Sequence, residues 1–186
     1  MSLLTAAPPR SISLGGADFP INPDFRNILA ISKLLSDSED ESAIFEALNR
    51  FYTESIPPDA EQAVNGFIDF FTDKSDKKSS AKGKVVDFDF DADYIFAAFL
   101  NEYNIDLSTI ETMHWWTFRA LFTGLKHSKI NDIIQIRATD ITKDMSAAEK
   151  KYYTEMKRVF ALPREKKRIS PLERALMNGE SLEGLI

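Results

Sequence analysis

The spacing of apolar positions changes along the chain, and each change marks an element. Residues 1–9 hold two prolines and no periodic pattern, which predicts a flexible tail. Ile12 and Leu14 alternate with serines, Gly15-Gly16-Ala17-Asp18 follows, and Phe19-Pro20-Ile21 resumes the apolar run. Two short alternating runs about a glycine turn predict a β-hairpin; Pro20 has no N–H to donate and keeps its strand at an edge. From Phe25 the period lengthens to that of a helix opened by Pro23-Asp24, with Phe25, Ile28, Leu29, Ile31, Leu34 and Leu35 on one face. The acidic run Ser36 to Glu41 then caps a second helix, expected to turn Ile44, Phe45, Leu48 and Phe51 inward and to stop at Pro57-Pro58. Asp59 caps a third, through Ala63, Val64, Phe67, Ile68 and Phe71.

The thirteen residues from Thr72 to Lys84 contain no large apolar side chain, the pattern of a solvated linker. Val85 to Asp91 alternates strictly, which predicts an extended segment with aspartates on one side and Phe88 and Phe90 on the other. Asp91 is placed to cap a helix over Ala92–Tyr103, with Asp93 in its first turn. Ser108-Thr-Ile-Glu111 has the form of a capping box heading a helix through Trp115, Trp116, Phe118, Leu121 and Phe122 to Gly124. Ser128 is expected to cap the next helix, which buries Ile130, Ile133, Ile134 and Ile136. A last long helical segment, Ser146 to Phe160, carries Tyr152, Tyr153, Met156, Val159 and Phe160, and a short helix begins at Pro171. The expected fold is mainly α, a helical bundle-like protein with a short N-terminal β-hairpin. Its organisation reads as a tail (1–9), hairpin plus three helices (10–71), charged linker (72–84), helical region (85–163) and basic C-terminal tail with a short helix (164–186).

Composition narrows the chemistry. The 186 residues include 14 Phe, 2 Trp and 5 Tyr, enough for a core, and no cysteine, which excludes disulfides, thiolate zinc sites and a thiol nucleophile. Only His114 and His127 supply imidazole. No run of about 18 apolar residues occurs, and the first ten residues lack a secretory pattern, so a cytosolic, non-secreted protein is expected. The net charge of −6 is unevenly spread. Asp37 to Glu46 holds five acidic residues and no basic one, and Val85 to Thr112 seven acidic residues with no Lys or Arg; Glu149 to Arg174 holds nine basic residues against four acidic.

Asp87, Asp89, Asp91 and Asp93 alternate as calcium-loop carboxylates do, but Ala92 stands where the loop needs glycine and Ala98 where it needs a bidentate glutamate. A solvated acidic face leading into an N-cap is the better reading. Met113-His114-Trp115-Trp116 could stack a base or sugar; adjacent helical residues diverge by about 100°, however, so Trp115, Phe118 and Phe122 read as core. No HExxH, GxSxG or GK[ST] is present. No catalytic, cofactor-binding or metal-ligating set emerges. The basic run Lys150, Lys151, Lys157, Arg158, Arg164, Lys166, Lys167 and Arg168, with Arg174 beyond it, can be a solvated helix face, neutralise phosphates, or meet an acidic protein surface, including that of a second copy. Net charge opposes nucleic acid at long range and leaves these residues as the partner-binding candidates.

Several stretches together resemble one family: Tyr94-Ile-Phe-Ala-Ala-Phe-Leu100, Tyr103-Asn-Ile-Asp-Leu107, His114-Trp-Trp-Thr-Phe-Arg-Ala-Leu121 with Gly124-Leu125, Ile133-Ile-Gln-Ile-Arg137, and Lys150-Lys-Tyr-Tyr153 before Ala161-Leu-Pro163. With Phe19-Pro-Ile21 and Asp24-Phe-Arg26, they are similar to tail-module proteins of long-tailed (siphovirus-type) phages and prophages of Gram-positive bacteria. Those proteins are encoded beside the tape-measure gene and are thought to be tail assembly chaperones. The similarity spans residues 10 to 163, and the HWW-FRAL segment is its specific part. It implies a non-catalytic protein that binds the tape-measure protein, keeps it soluble, helps recruit major tail (tube) subunits and is released by their competition, through weak repeated contacts. The implied setting is the host cytoplasm during assembly, without nucleic acid, membrane or cofactor, and with absence from the mature virion. The alternatives are a minor structural tail protein retained in the virion and, from the four aspartates, a carboxylate-metal hydrolase.

Overall fold

The structure is a computed structural model and describes residues 3–38, 40–72 and 84–163. The chain opens on an antiparallel hairpin of β1 (Ser11–Leu14) and β2 (Ala17–Pro20), with Ile12 opposite Phe19 and Leu14 opposite Ala17. Gly15 and Gly16 both have positive φ, 58° and 84°, as a two-residue hairpin turn requires. α1 (Phe25–Asp37) begins where the Asp24 carboxylate accepts from the Arg26 N–H, and it buries Phe25, Ile28 and Ile31.

α2 (Glu41–Phe51) departs from expectation in both phase and length. Leu48 and Phe51 set its inward arc and Ala43 and Ala47 complete it; at 100° per residue Phe45 falls on the far side and is 65% exposed. Ile44, in the first turn, is also exposed. The helix ends well before Pro57 because Tyr52 leaves it to pair with Ile21, and the Asn22 N–H takes the Phe51 carbonyl at 2.8 Å. α3 (Ala60–Phe71) is capped by Asp59 as expected. It buries Ala63, Gly66, Phe67 and Phe70; Ile68 is exposed and Phe71 half-buried, so Phe70 takes the place the sequence assigned to those two.

Residues 87–91 form a turn rather than an extended segment. The Asp87 carboxylate accepts from the N–H groups of Asp89 and Phe90, both at 2.9 Å, and the Asp91 N–H reaches the Asp87 carbonyl at 2.8 Å. An aspartate that satisfies nearby backbone donors competes with extended geometry. Phe88 therefore turns into the core while Phe90 stays exposed. α4 (Ala92–Tyr103) ends at Asn104 with φ 54°. The capping box expected at Ser108–Glu111 does not form, since Asp106 accepts from the Ser108 N–H at 2.8 Å and closes a local turn. α5 (Trp115–Gly124) starts instead at His114, whose ring accepts from the Trp116 N–H. α6 (Lys129–Ala138) buries Ile130, Ile133 and Ile136, leaving Ile134 half-buried; Ser128 holds the N-cap position, but its hydroxyl donates to the Asn131 side chain. α7 (Ala147–Val159) has a complete Ser146/Glu149 capping box and buries no residue.

The architecture is mainly α, with the hairpin at its N-terminal end. One apolar core takes residues from both sides of 73–83. Phe118 stacks on Phe25 at 4.7 Å between ring centres and on Phe99 at 5.1 Å, and Trp115 stacks on Phe71 at 5.3 Å. The start of α5 also closes the end of α3. The Trp116 indole donates to the Phe70 carbonyl at 3.0 Å, and the Trp115 indole and Arg119 both donate to the Phe71 carbonyl. These are carbonyls a helix end cannot satisfy itself. Beside them the Phe25 N–H takes the Met113 carbonyl and the Trp115 N–H the Pro23 carbonyl, at 2.9 and 2.7 Å. Among the described residues no helix is long and apolar enough to cross a membrane.

Candidate partner-binding surface

Three of the four carboxylates that suggested a metal loop are spent on structure, and Asp93 is exposed in the first turn of α4. Asp91 is fully buried and holds Arg137 in a two-pronged ion pair, at 2.6 and 2.9 Å, while also accepting from the Asp87 N–H. Arg137 gives two further donors to the carbonyls of Val85 at 3.0 Å and Phe160 at 2.7 Å. One guanidinium thus joins the segment before α4, the start of α4 and the end of α7. Asp89 pairs with Lys33, and Asp87 with Lys84 at 3.0 Å. The Phe90 N–H, first among several donors, holds the Asp87 carboxyl below its ordinary range. Among the described residues no three His, Cys, Asp or Glu side chains are placed to hold a metal ion.

His114 and His127 sit in different surroundings. Nδ1 of His114 accepts from the Trp116 N–H at 3.0 Å, so Nε2 carries the proton and donates to the Pro9 carbonyl at 2.9 Å. Burial, against the Pro9 carbonyl and with some help from Arg10, lowers its pKa and keeps the ring neutral. His127 is exposed in the connection between α5 and α6.

The basic candidates divide on α7. Lys150 donates to the Lys143 carbonyl at 2.8 Å and Lys157 to the Arg137 carbonyl at 2.7 Å, which ties the helix down at both ends. Lys151 and Arg158 are exposed and make no hydrogen bond or ion pair among the described residues. Arg164, Lys166, Lys167 and Arg168 lie outside the described residues. At 100° per residue, Ala148, Tyr152 and Val159 fall together on the outer side of α7 with Lys151 and Arg158 along one edge. Tyr152 is 52% and Val159 57% exposed. Glu155 sits between the two cations. The outer face is an apolar stripe with a cationic border, and sequence reasoning identified only the border.

Residues 5–162 match a family model described as bacteriophage Gp15 protein. The chain belongs to that phage protein family. The matched span covers every described element, α7 and its outer face included, and stops before Arg164. No curated protein and no solved structure matches the chain. Arg137, which sequence reasoning missed as a functional or structural centre, had one signal. It falls four residues after Ile133 and seven after Ile130, on the apolar side of α6, where an arginine must find a buried partner.

Proposed function

We propose that this phage protein is a non-catalytic tail assembly chaperone. It binds the tape-measure protein, keeps it soluble, helps recruit tail-tube subunits and is then released, in the host cytoplasm, leaving none in the virion. The observation that carries the reading is the outer face of α7. A helix that buries nothing of its own yet presents Tyr152 and Val159 beside two cations with no partner among the described residues suits an amphipathic helical partner, which docks apolar positions at i, i+3, i+4 and i+7. Such a contact is small and weak, and many copies along one long helical chain make it effective while each stays easy to displace. Support for binding over hydrolysis comes from the acids: Asp91, Asp89 and Asp87 each hold a cation or a backbone donor of the fold.

Co-expression with the adjacent tape-measure protein tests this. The expected result is soluble tape-measure protein that co-purifies with this chain, and loss of both effects in a Tyr152→Asp, Val159→Asp variant whose circular dichroism is unchanged. Tape-measure protein that stays insoluble and uncaptured ends the reading. Mass spectrometry of purified virions should find none of this chain; its presence at tail stoichiometry would assign it to the particle instead.

A further inference from the structure

Two exposed faces of the same molecule complement each other. On α2, Ile44 is 43% and Phe45 65% exposed; they diverge by about 100° round the helix, and Phe45 is the one turned away from the core. They lie within the Asp37–Glu46 stretch that carries five acidic residues and no basic one. Among the described residues the Asp40 side chain meets Ser38 alone, and Glu46 is paired with Arg50 one turn on. The second face is the outer side of α7, where Tyr152 and Val159 are bordered by Lys151 and Arg158. Among the described residues α2 packs on α1 and α3 and α7 on α6, while Phe45, Tyr152 and Val159 stay exposed, so neither face covers the other.

We propose that copies of this chain associate head to tail, the α7 face of one copy seated on the α2 end of the next. Phe45 on one side and Tyr152 with Val159 on the other supply the apolar contact, and the opposite charges the register. Because the two faces differ, the contact is heterologous: each copy keeps one open face after binding, and the assembly grows into a chain or closes into a ring rather than stopping at a symmetric dimer. The inference goes beyond the chaperone reading and does not depend on it, since its test contains no tape-measure protein. If both hold, a tape-measure helix and a second copy compete for α7.

Sedimentation of the full chain over a rising concentration series is the experiment. Wild-type protein is expected to form a concentration-dependent series that shortens as salt is raised. Phe45→Asp, and separately Tyr152→Asp with Val159→Asp, should each sediment as a monomer with native circular dichroism; all three positions are exposed, so folding is retained. An equimolar mixture of the two variants, each keeping one intact face, should give a one-to-one dimer that grows no further. A wild-type monomer at every concentration overturns the proposal. So do oligomers that survive either substitution, or a mixture that stays monomeric.

Discussion

Asp91 has no contact with water, and the guanidinium it holds is nearly as secluded, with the Arg137 side chain 7% exposed. A buried ion pair adds little over a well-packed apolar pair, but removing one partner strands the other charge. Asp91→Ala leaves Arg137 with two carbonyls and no counter-charge, so urea unfolding should show a loss of about 3–5 kcal/mol. His114 gives a pH dependence whose sign follows from its neutral ring. Its folded pKa lies below the 6.5 of the unfolded chain, so the unfolded state takes up the proton first as pH falls. Stability is therefore full above the unfolded value and declines below it until the folded ring itself titrates. His114→Asn keeps a side-chain acceptor for the Trp116 N–H but cannot titrate. Between neutral pH and about pH 5.5, wild type should lose more melting temperature than this variant; parallel losses would refute the assignment. Both roles hang on contacts across the fold, from Asp91 to Arg137 and from His114 to Pro9, which no local spacing reveals.

The hairpin depends on a close approach to α3. A Cβ at Gly66 would stand 2.9 Å from the Tyr52 hydroxyl, 3.3 Å from Ile12 Cγ2 and 3.4 Å from Leu14 Cδ1. The Tyr52 hydroxyl donates to the Ala63 carbonyl at 2.9 Å and has little freedom to yield. Gly66→Ala gains up to about 1 kcal/mol of helix propensity. Overpacking costs about 1–3 kcal/mol, so the variant should melt lower. Adding Tyr52→Phe, which removes the nearest atom, should recover part of the loss. Element identity was legible wherever large apolar residues kept a helical period, as in α1 and α6. It failed where something other than a large side chain decided. Alanines completed the inward arc of α2 where Ile44 and Phe45 were expected, Asp87 and Asp106 drew the backbone into local turns, and a histidine rather than Ser108 capped α5.

For the molecule as a whole, residues 72–84 stand out in the sequence as a break in composition, and 73–83 lie outside the described residues; the union of the flanking regions in one core was not legible. That union rests on ring stacking and on indole-to-carbonyl bonds between α5 and α3, contacts between residues 44 to 48 positions apart. The candidate surface was legible as charge alone. Which cations face outward follows from how α7 lies on α6, with Lys150 and Lys157 drawn to carbonyls and Lys151 and Arg158 left outside. The junction of Asp24 with Met113 and His114 has a consequence in time. The Asp24 carboxylate accepts from the Met113 N–H 89 residues downstream, and Phe25 stacks on Phe118. At a synthesis rate of roughly 5–20 residues per second, Phe25 waits roughly 5–20 s on the ribosome for Phe118, and Phe70 and Phe71 roughly 2–9 s for Trp116 and Trp115. During that interval Phe25 lacks Phe118, Phe70 lacks Trp116 and Phe71 lacks Trp115, so part of the apolar surface of the first three helices stays uncovered until α5 has been made.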